Sequence, residues 1–270
     1  MKKSLPEHDG TPGTITRSLN IVRLLASMGR RGLALTDLSR MSGLPHPTVH
    51  RLLQQLIAER MVRQIEGNRR YALGALAFEI GLAAADQFDI RSHCMPIMHG
   101  IAEEVGDTAY LILRSGSEAV CLDRCEGPSP IRVLSLSIGS RRPLGLGAGG
   151  LALLSALPDE ERVPMVQTVA PRTLELAGLG EAELLEAVAA TRKAGFAYVT
   201  SRVTLGVSAV GVPIRDGFGA PFAALSIAAI HARMPRDRAA SLAVLLQDKA
   251  RSINAAVKAA ISSSGLRLAP

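Results

Sequence analysis

The chain has 270 residues, 47% hydrophobic and 20% charged, which suits about two packed domains and excludes a disordered chain. No apolar run reaches the ~18 uncharged residues of a membrane span. The first ten residues lack the apolar stretch of a secretory signal, and three cysteines make no disulfide framework, so a cytoplasmic setting is expected. The net charge of +7 lies in the first quarter: residues 1–73 hold 12 Lys and Arg against 5 Asp and Glu, the rest 19 against 19. A basic module on a neutral body points to nucleic acid plus a second task. With no Trp, three Tyr and five Phe, a stacking platform for single strands is excluded.

Residues 1–13, with Pro6, Gly10, Pro12 and Gly13, read as a loose arm. Over 16–28, Leu19, Val22 and Leu25, and likewise Ile21, Leu24 and Met28, recur at three- and four-residue steps. This predicts a helix with a broad apolar face, ended by Gly29 and Gly32. A short helix follows, with Thr36 as N-cap and with Leu38 and Met41 inward. Ser42-Gly43-Leu44-Pro45 makes a tight turn, and Pro47 suits the first turn of a helix running to about Glu59. Residues 62–65 and 69–73 flank Glu66-Gly67-Asn68 and predict a β-hairpin. Leu76, Ile80, Ala83 and Phe88 predict a connecting helix over 74–92. Beyond it the pattern predicts a helix at 93–105 and strands at 109–114, 119–124 and 131–136. Helices are then expected at 148–157, 159–170 and 181–194, strands at 196–199, 208–214 and 222–230, and an amphipathic helix at 237–262. Strands, helices and strands again predict an α+β fold around a mostly antiparallel sheet.

On the helix opened by Pro47, Val49, Leu52, Leu53 and Leu56 share one side. Pro47, Thr48, His50, Arg51, Gln54 and Gln55 share the other. Arg can address guanine or phosphate, Gln adenine, and Thr or His either. Helix, glycine turn and polar-faced helix make a helix-turn-helix. The hairpin beyond would be its wing, with Asn68, Arg69 and Arg70 at the tip set to meet phosphates or a minor groove. Thr36 and His46, at the starts of the two helices, complete the candidate DNA contacts.

Three other motifs carry chemistry-bearing residues. Gly145-Leu146-Gly147-Ala148-Gly149-Gly150 fits G-x-G-x-x-G, but no strand leads into it and no acidic residue follows at the dinucleotide spacing. Cys121 and Cys125, with Cys94, His93 and His99, raise zinc. The four-residue spacing would put the first two on one strand face, but a closed site needs tight paired loops, and buried thiols are the simpler reading. The stretch around Ser208 lacks nucleophile-elbow spacing, and His231 reads as a strand-end surface residue. No catalytic group, metal or cofactor is therefore expected. The competing class is an enzyme acting on a small acid, with an accessory DNA-binding module.

Residues 14–86 resemble the winged-helix domain of the IclR-type bacterial transcriptional regulators, through "ITRSLNIVRLLA" (15–26), "LTDLSRMSGLPHPTVHRLLQQL" (35–56), "MVRQ" (61–64) and "RRYALGALAFEIG" (69–81). Residues 92–262 resemble that family's effector-binding domain, through "IGSRRPLGLGAGGLALLSALPDEE" (138–161) and "GVSAVGVPIRDGFGAPFAALSIA" (206–228). The resemblance implies an arm (1–13), a winged helix-turn-helix (14–73), a dimerising linker helix (74–92), a GAF-like effector domain (93–262) and a tail (263–270). It implies a dimer or tetramer on a pseudo-palindromic operator in double-stranded DNA, usually repressing. It also makes the glycine-rich loop the start of a helix lining an effector pocket, whose amide groups favour an anion.

In family members that bind small carboxylates the pocket uses an acidic residue, a cysteine and two serines. Those positions fall here on Val199, Ala209, Ser226 and Ala228, so only Ser226 keeps its polar group. A pocket poorer in hydrogen-bonding groups suits an aromatic or branched organic acid. Arg142 is the candidate carboxylate partner, and Leu134, Ala148 and Gly149 complete the expected lining.

Overall fold

The structure, a computed structural model, describes residues 13–28, 31–85, 90–216 and 219–264. Residues 1–12 of the arm, Gly29, Phe88 and residues 265–270 of the tail lie outside it. The chain divides into two compact units, Met1–Asp86 and Gln87–Pro270.

The first unit runs α1 (Thr14–Met28), β1 (Leu33–Ala34), α2 (Leu35–Ser42), α3 (His46–Ala58), β2 (Val62–Gln64), β3 (Arg70–Leu73) and α4 (Ala75–Ala85). Its three strands form an antiparallel sheet in the order β1-β3-β2. The core gathers Ile21 and Leu25 of α1, Leu38 of α2, Val49, Leu52 and Leu53 of α3, and Val62 and Tyr71. Gly43, at φ +69°, ends α2 in the left-handed conformation that glycine adopts without penalty, and α3 starts three residues later.

Three details depart from the sequence reading. Strand β1 was not expected: Leu33 and Ala34 pair with Tyr71 and Arg70 and run straight into α2. Ala34 therefore takes the N-cap place, without a side-chain cap, and Thr36 lies exposed inside the first turn. Met41 is exposed, because α2 reaches the core through Leu38, with Leu35 partly buried beside it. Of the connecting helix expected over 74–92, α4 covers 75–85 and residues 90–92 are helical as well, while residues 86–89 lie outside the described residues.

The second unit runs α5 (Ile90–Val105), β4 (Thr108–Ser115), β5 (Glu118–Cys125), β6 (Arg141–Pro143), α6 (Gly147–Ala156), α7 (Asp159–Ala177), α8 (Glu181–Ala194), β7 (Ala197–Thr200), β8 (Val207–Arg215), β9 (Pro221–Ile230) and α9 (Arg236–Ser264). Its antiparallel sheet has the order β6-β5-β4-β9-β8-β7. Helices α5 and α9 cover one face, with Met98, Ile101, Leu246 and Ile253 in that core. Helices α6, α7 and α8 cover the other, with Leu153, Leu154, Val166 and Leu184. Central β9 is buried on both faces, so it reads as a continuous Ala, Leu and Ile run rather than an alternation.

Two expectations fail here. Residues 131–136 are not a strand: the edge beside β5 is taken by Arg141–Pro143, which pair with Glu118–Val120. The 131–136 carbonyls are met by side chains instead, Val133 by Tyr110, Ser135 by Arg142 and Leu136 by Arg124. Nor do Cys121 and Cys125 share a face. The β4–β5 register slips between Leu111 and Ile112, which turns Cys121 toward α6 and Cys125 toward α5 and α9. Burial raises both thiols, Cys121 to about 11, so they sit as neutral packing groups.

Candidate functional site

In the first unit α3 presents a free polar face. Val49, Leu52 and Leu53 are buried, while His46, Pro47, His50, Arg51 and Gln54 are exposed and Thr48 is half-buried. The spacing of 47, 50, 51 and 54 keeps these on one stripe of the helix. None of these side chains forms a hydrogen bond or ion pair among the described residues, so their donors and acceptors are open to a ligand.

The wing splits its basic residues. Asn68 Oδ1 accepts a hydrogen bond from the backbone N–H of Arg70 at 3.1 Å and fixes the turn. The Arg70 guanidinium folds back into the unit: Nε donates to the Arg31 carbonyl at 2.9 Å and Nη2 to that of Gly32 at 3.0 Å. Arg70 thus ties the loop before β1 to β3 instead of reaching outward. Arg69 is exposed and keeps its charge free.

The second unit holds a recess of about 630 Å³, open mouth included, between the sheet and α6. Its floor is the sheet face carrying Tyr110, Ile112, Val199, Ala209, Ser226 and Ala228. Val199 pairs with Ala209, Ala209 with Ala228, and Tyr110 with Ser226, so the sheet register makes these distant positions neighbours. Residues 146–150 close one end. Helix α6 lies this close because β8 offers a glycine opposite Ser226: a Cβ on Gly211 would come within 2.7 Å of the Ala148 carbonyl oxygen. The first turn of α6 has no side-chain cap, which leaves its amide N–H groups toward the recess.

Arg142, Ser135 and Leu136 stand on one side, and Arg202, Val203, Thr204 and Val207 on the other. Arg142 Nη2 donates to the Ser135 carbonyl at 2.9 Å. Arg142 forms no ion pair among the described residues, and burial lowers its pKa, an effect that neighbouring Tyr110 and Cys121 only partly offset. Burial likewise pushes the Tyr110 phenol up, so it stays a neutral donor.

Of the eight residues named from sequence, Arg142, Ala148, Gly149, Val199, Ala209, Ser226 and Ala228 line this recess and Leu134 does not. Leu134 is 50% exposed, because the segment is no strand and Val133 is its inward residue. Sequence reasoning missed Tyr110 and Ile112, although their two-residue spacing on β4 was a usable signal. It also missed Arg202, Val203 and Thr204, which sit in a loop without periodicity. Among the described residues no three of His, Cys, Asp and Glu gather as a metal site, and no described helix is long and apolar enough to cross a membrane.

A winged helix-turn-helix with an open polar helix face, joined to an α+β unit around a small recess, defines the class of helix-turn-helix regulators. The family description "bacterial transcriptional regulator IclR C-terminal" matches residues 82–255, and "IclR helix-turn-helix domain" matches residues 14–66. The chain belongs to the IclR family of transcriptional regulators. It is 30% identical to the HTH-type transcriptional regulator KipR of Bacillus subtilis over 247 residues, 89% of this chain and 95% of that protein. It is 28% identical to the transcriptional repressor IclR of Escherichia coli over 92% of this chain and 90% of the repressor.

Among solved structures, an IclR family regulator from Brucella abortus shares the fold with TM-score 0.73 at 22% identity, covering 95% of this chain and 97% of that one. An IclR homologue from Microbacterium hydrocarbonoxydans in complex with 4-hydroxybenzoate has TM-score 0.68 at 20% identity, covering 92% and 100%. The curated relatives are named as regulators and repressors, not enzymes, so the enzyme reading falls.

Proposed function

We propose that this regulator is a cytoplasmic repressor whose operator affinity is set by a small organic acid. Residues 14–73 read the operator, 93–262 hold the acid, and 74–92 pair two copies. Thr48, His50, Arg51 and Gln54 enter the major groove, flanked by His46 and Pro47. Thr36, Asn68 and Arg69 lie against the backbone, and Arg70 supports the wing from within. Phe78, Ile80 and Leu82 of α4, all at least half exposed, supply the apolar surface for pairing as a dimer or tetramer on a pseudo-palindrome. The mode of action is supported by relatives named as repressors.

The observation that carries the acid is Arg142, half-sunk in an apolar recess without a carboxylate, beside the uncapped start of α6. The apolar floor favours an aromatic or branched body, and the relative bound to 4-hydroxybenzoate supports an aromatic one. Selection of duplexes from a random pool should return an inverted repeat. A thermal-shift screen should then find aromatic or branched carboxylates raising Tm while glyoxylate and pyruvate do little. Equal stabilisation by glyoxylate would refute the preference. Ala148→Leu, which fills the recess, should abolish the shift and leave binding of the operator by the free protein intact.

A further inference from the structure

We propose that the recess takes a dicarboxylate, with Arg202 meeting the second carboxylate at the mouth. This rests on reading the recess as an organic-acid site and adds the number of charges it selects. None of its lining residues is Asp or Glu, and two are arginines, Arg142 and Arg202. Neither arginine has an ion-pair partner among the described residues. A monoanion at Arg142 leaves the second guanidinium without a counter-charge; a dianion with an apolar middle answers both and keeps its body on the Val199, Ala209 and Ala228 floor.

The loop carrying Arg202 is held in shape before any ligand arrives. Ser201 adopts φ +48°, a left-handed conformation costly for a residue with a side chain. It is kept there by two bonds: Ser201 N–H donates to the Val207 carbonyl at 2.8 Å, and Ser201 Oγ accepts from Gly206 N–H at 3.2 Å. At the loop's base Thr200 Oγ1 and Ser208 Oγ lie 2.8 Å apart, each 2.9 Å from His231 Nδ1, and His231 N–H donates to the Gly206 carbonyl at 2.7 Å. This clamp gives the Ser208–His231 pair its role: it fixes a loop whose Arg202, Val203 and Thr204 are delivered to the mouth of the recess.

The test uses the full-length protein and paired probes that differ by one charge: hexanedioate against hexanoate, and benzene-1,4-dicarboxylate against 4-methylbenzoate, titrated by calorimetry. In at least one pair the dicarboxylate should bind about tenfold tighter, a preference that shrinks in high salt because Arg202 is exposed. Arg202→Gln should remove the preference by weakening the dicarboxylates far more than the monoacids, and Arg202→Lys should restore part of it. Melting of the free variants controls for folding. Monoacids binding as tightly as diacids, or Arg202→Gln keeping the preference, would overturn the proposal while the acid site stands. If no acid of either series binds, both fall.

Discussion

Arg51 and Arg142 are both free cations, but they sit in opposite environments. Arg51 projects into water from α3, so it has no folding role to lose. Arg51→Ala should leave Tm unchanged and cost ~1–3 kcal/mol on the selected operator if it reads a base. Fluorescence anisotropy against operator and scrambled duplexes decides: an equal loss on both marks a phosphate contact, and no loss removes Arg51 from the interface. Arg142 is desolvated, with a lowered pKa and one hydrogen bond to the Ser135 carbonyl. Because a buried unpaired charge is itself unfavourable, Arg142→Met should melt close to the wild type while losing the acid-induced rise in Tm. A variant that keeps the full rise would place the carboxylate elsewhere.

At the scale of elements, the wing separates two kinds of basic residue that looked alike in the sequence. Arg69→Ala should flatten the plot of log K against log salt by ~0.9 and leave stability alone. Arg70→Ala should instead lower the denaturation midpoint of the first unit, since the Arg31 and Gly32 carbonyls lose their donors. An unchanged salt slope for Arg69→Ala would take the wing off the DNA. On the second sheet Glu118 joins β5 to β6 and α7, receiving Arg141 Nε at 2.5 Å and Arg172 Nη1 at 3.0 Å. Burial alone would raise its pKa, but the two guanidiniums outweigh it and hold the carboxyl below 4.5. The folded state thus favours the ionised form, so its contribution is present above the unfolded value and is lost as pH falls through the folded one. Glu118→Gln should flatten the acid limb of Tm against pH below about pH 5, and a limb of unchanged slope would refute the assignment.

The same elements mark what the sequence disclosed. Helices α1 and α3 were legible from their apolar spacing and end signals, and the long strands as apolar runs, β9 without any alternation because both its faces are buried. Strand β1 is two residues long and β6 three, too short to carry a period. Residues 131–136 are rich in Ile, Val and Leu like a strand, yet their carbonyls are satisfied by Arg and Tyr side chains that no local pattern reveals. The slip in β5 reversed Cys125 because a bulge is set by the partner strand. The pocket floor was reached through the family resemblance, and sheet register explains why residues as far apart as Val199 and Ala228 belong together. The mouth loop, with Arg202, had neither period nor resemblance to announce it.

For the whole molecule, the proposed regulation is a statement about linkage, and linkage is reciprocal. If the acid weakens operator binding by some factor, the operator must weaken acid binding by that same factor, because both describe one cycle of four states. Typical couplings of ~1–3 kcal/mol correspond to roughly 5- to 150-fold, large enough to measure from either side. Operator affinity can be titrated at zero and saturating acid, and acid affinity with free protein and with protein saturated by operator. The two factors should agree within error for the wild type. Ala148→Leu should bind operator with the unliganded affinity at every acid concentration, since it removes the ligand without touching α3. Apparent release of DNA by acid with no matching loss of acid affinity on the operator would mean the acid acts through bulk ionic strength rather than by binding. In that case an inert salt at equal ionic strength would release the DNA as well, and the recess in the second unit would have no part in the response.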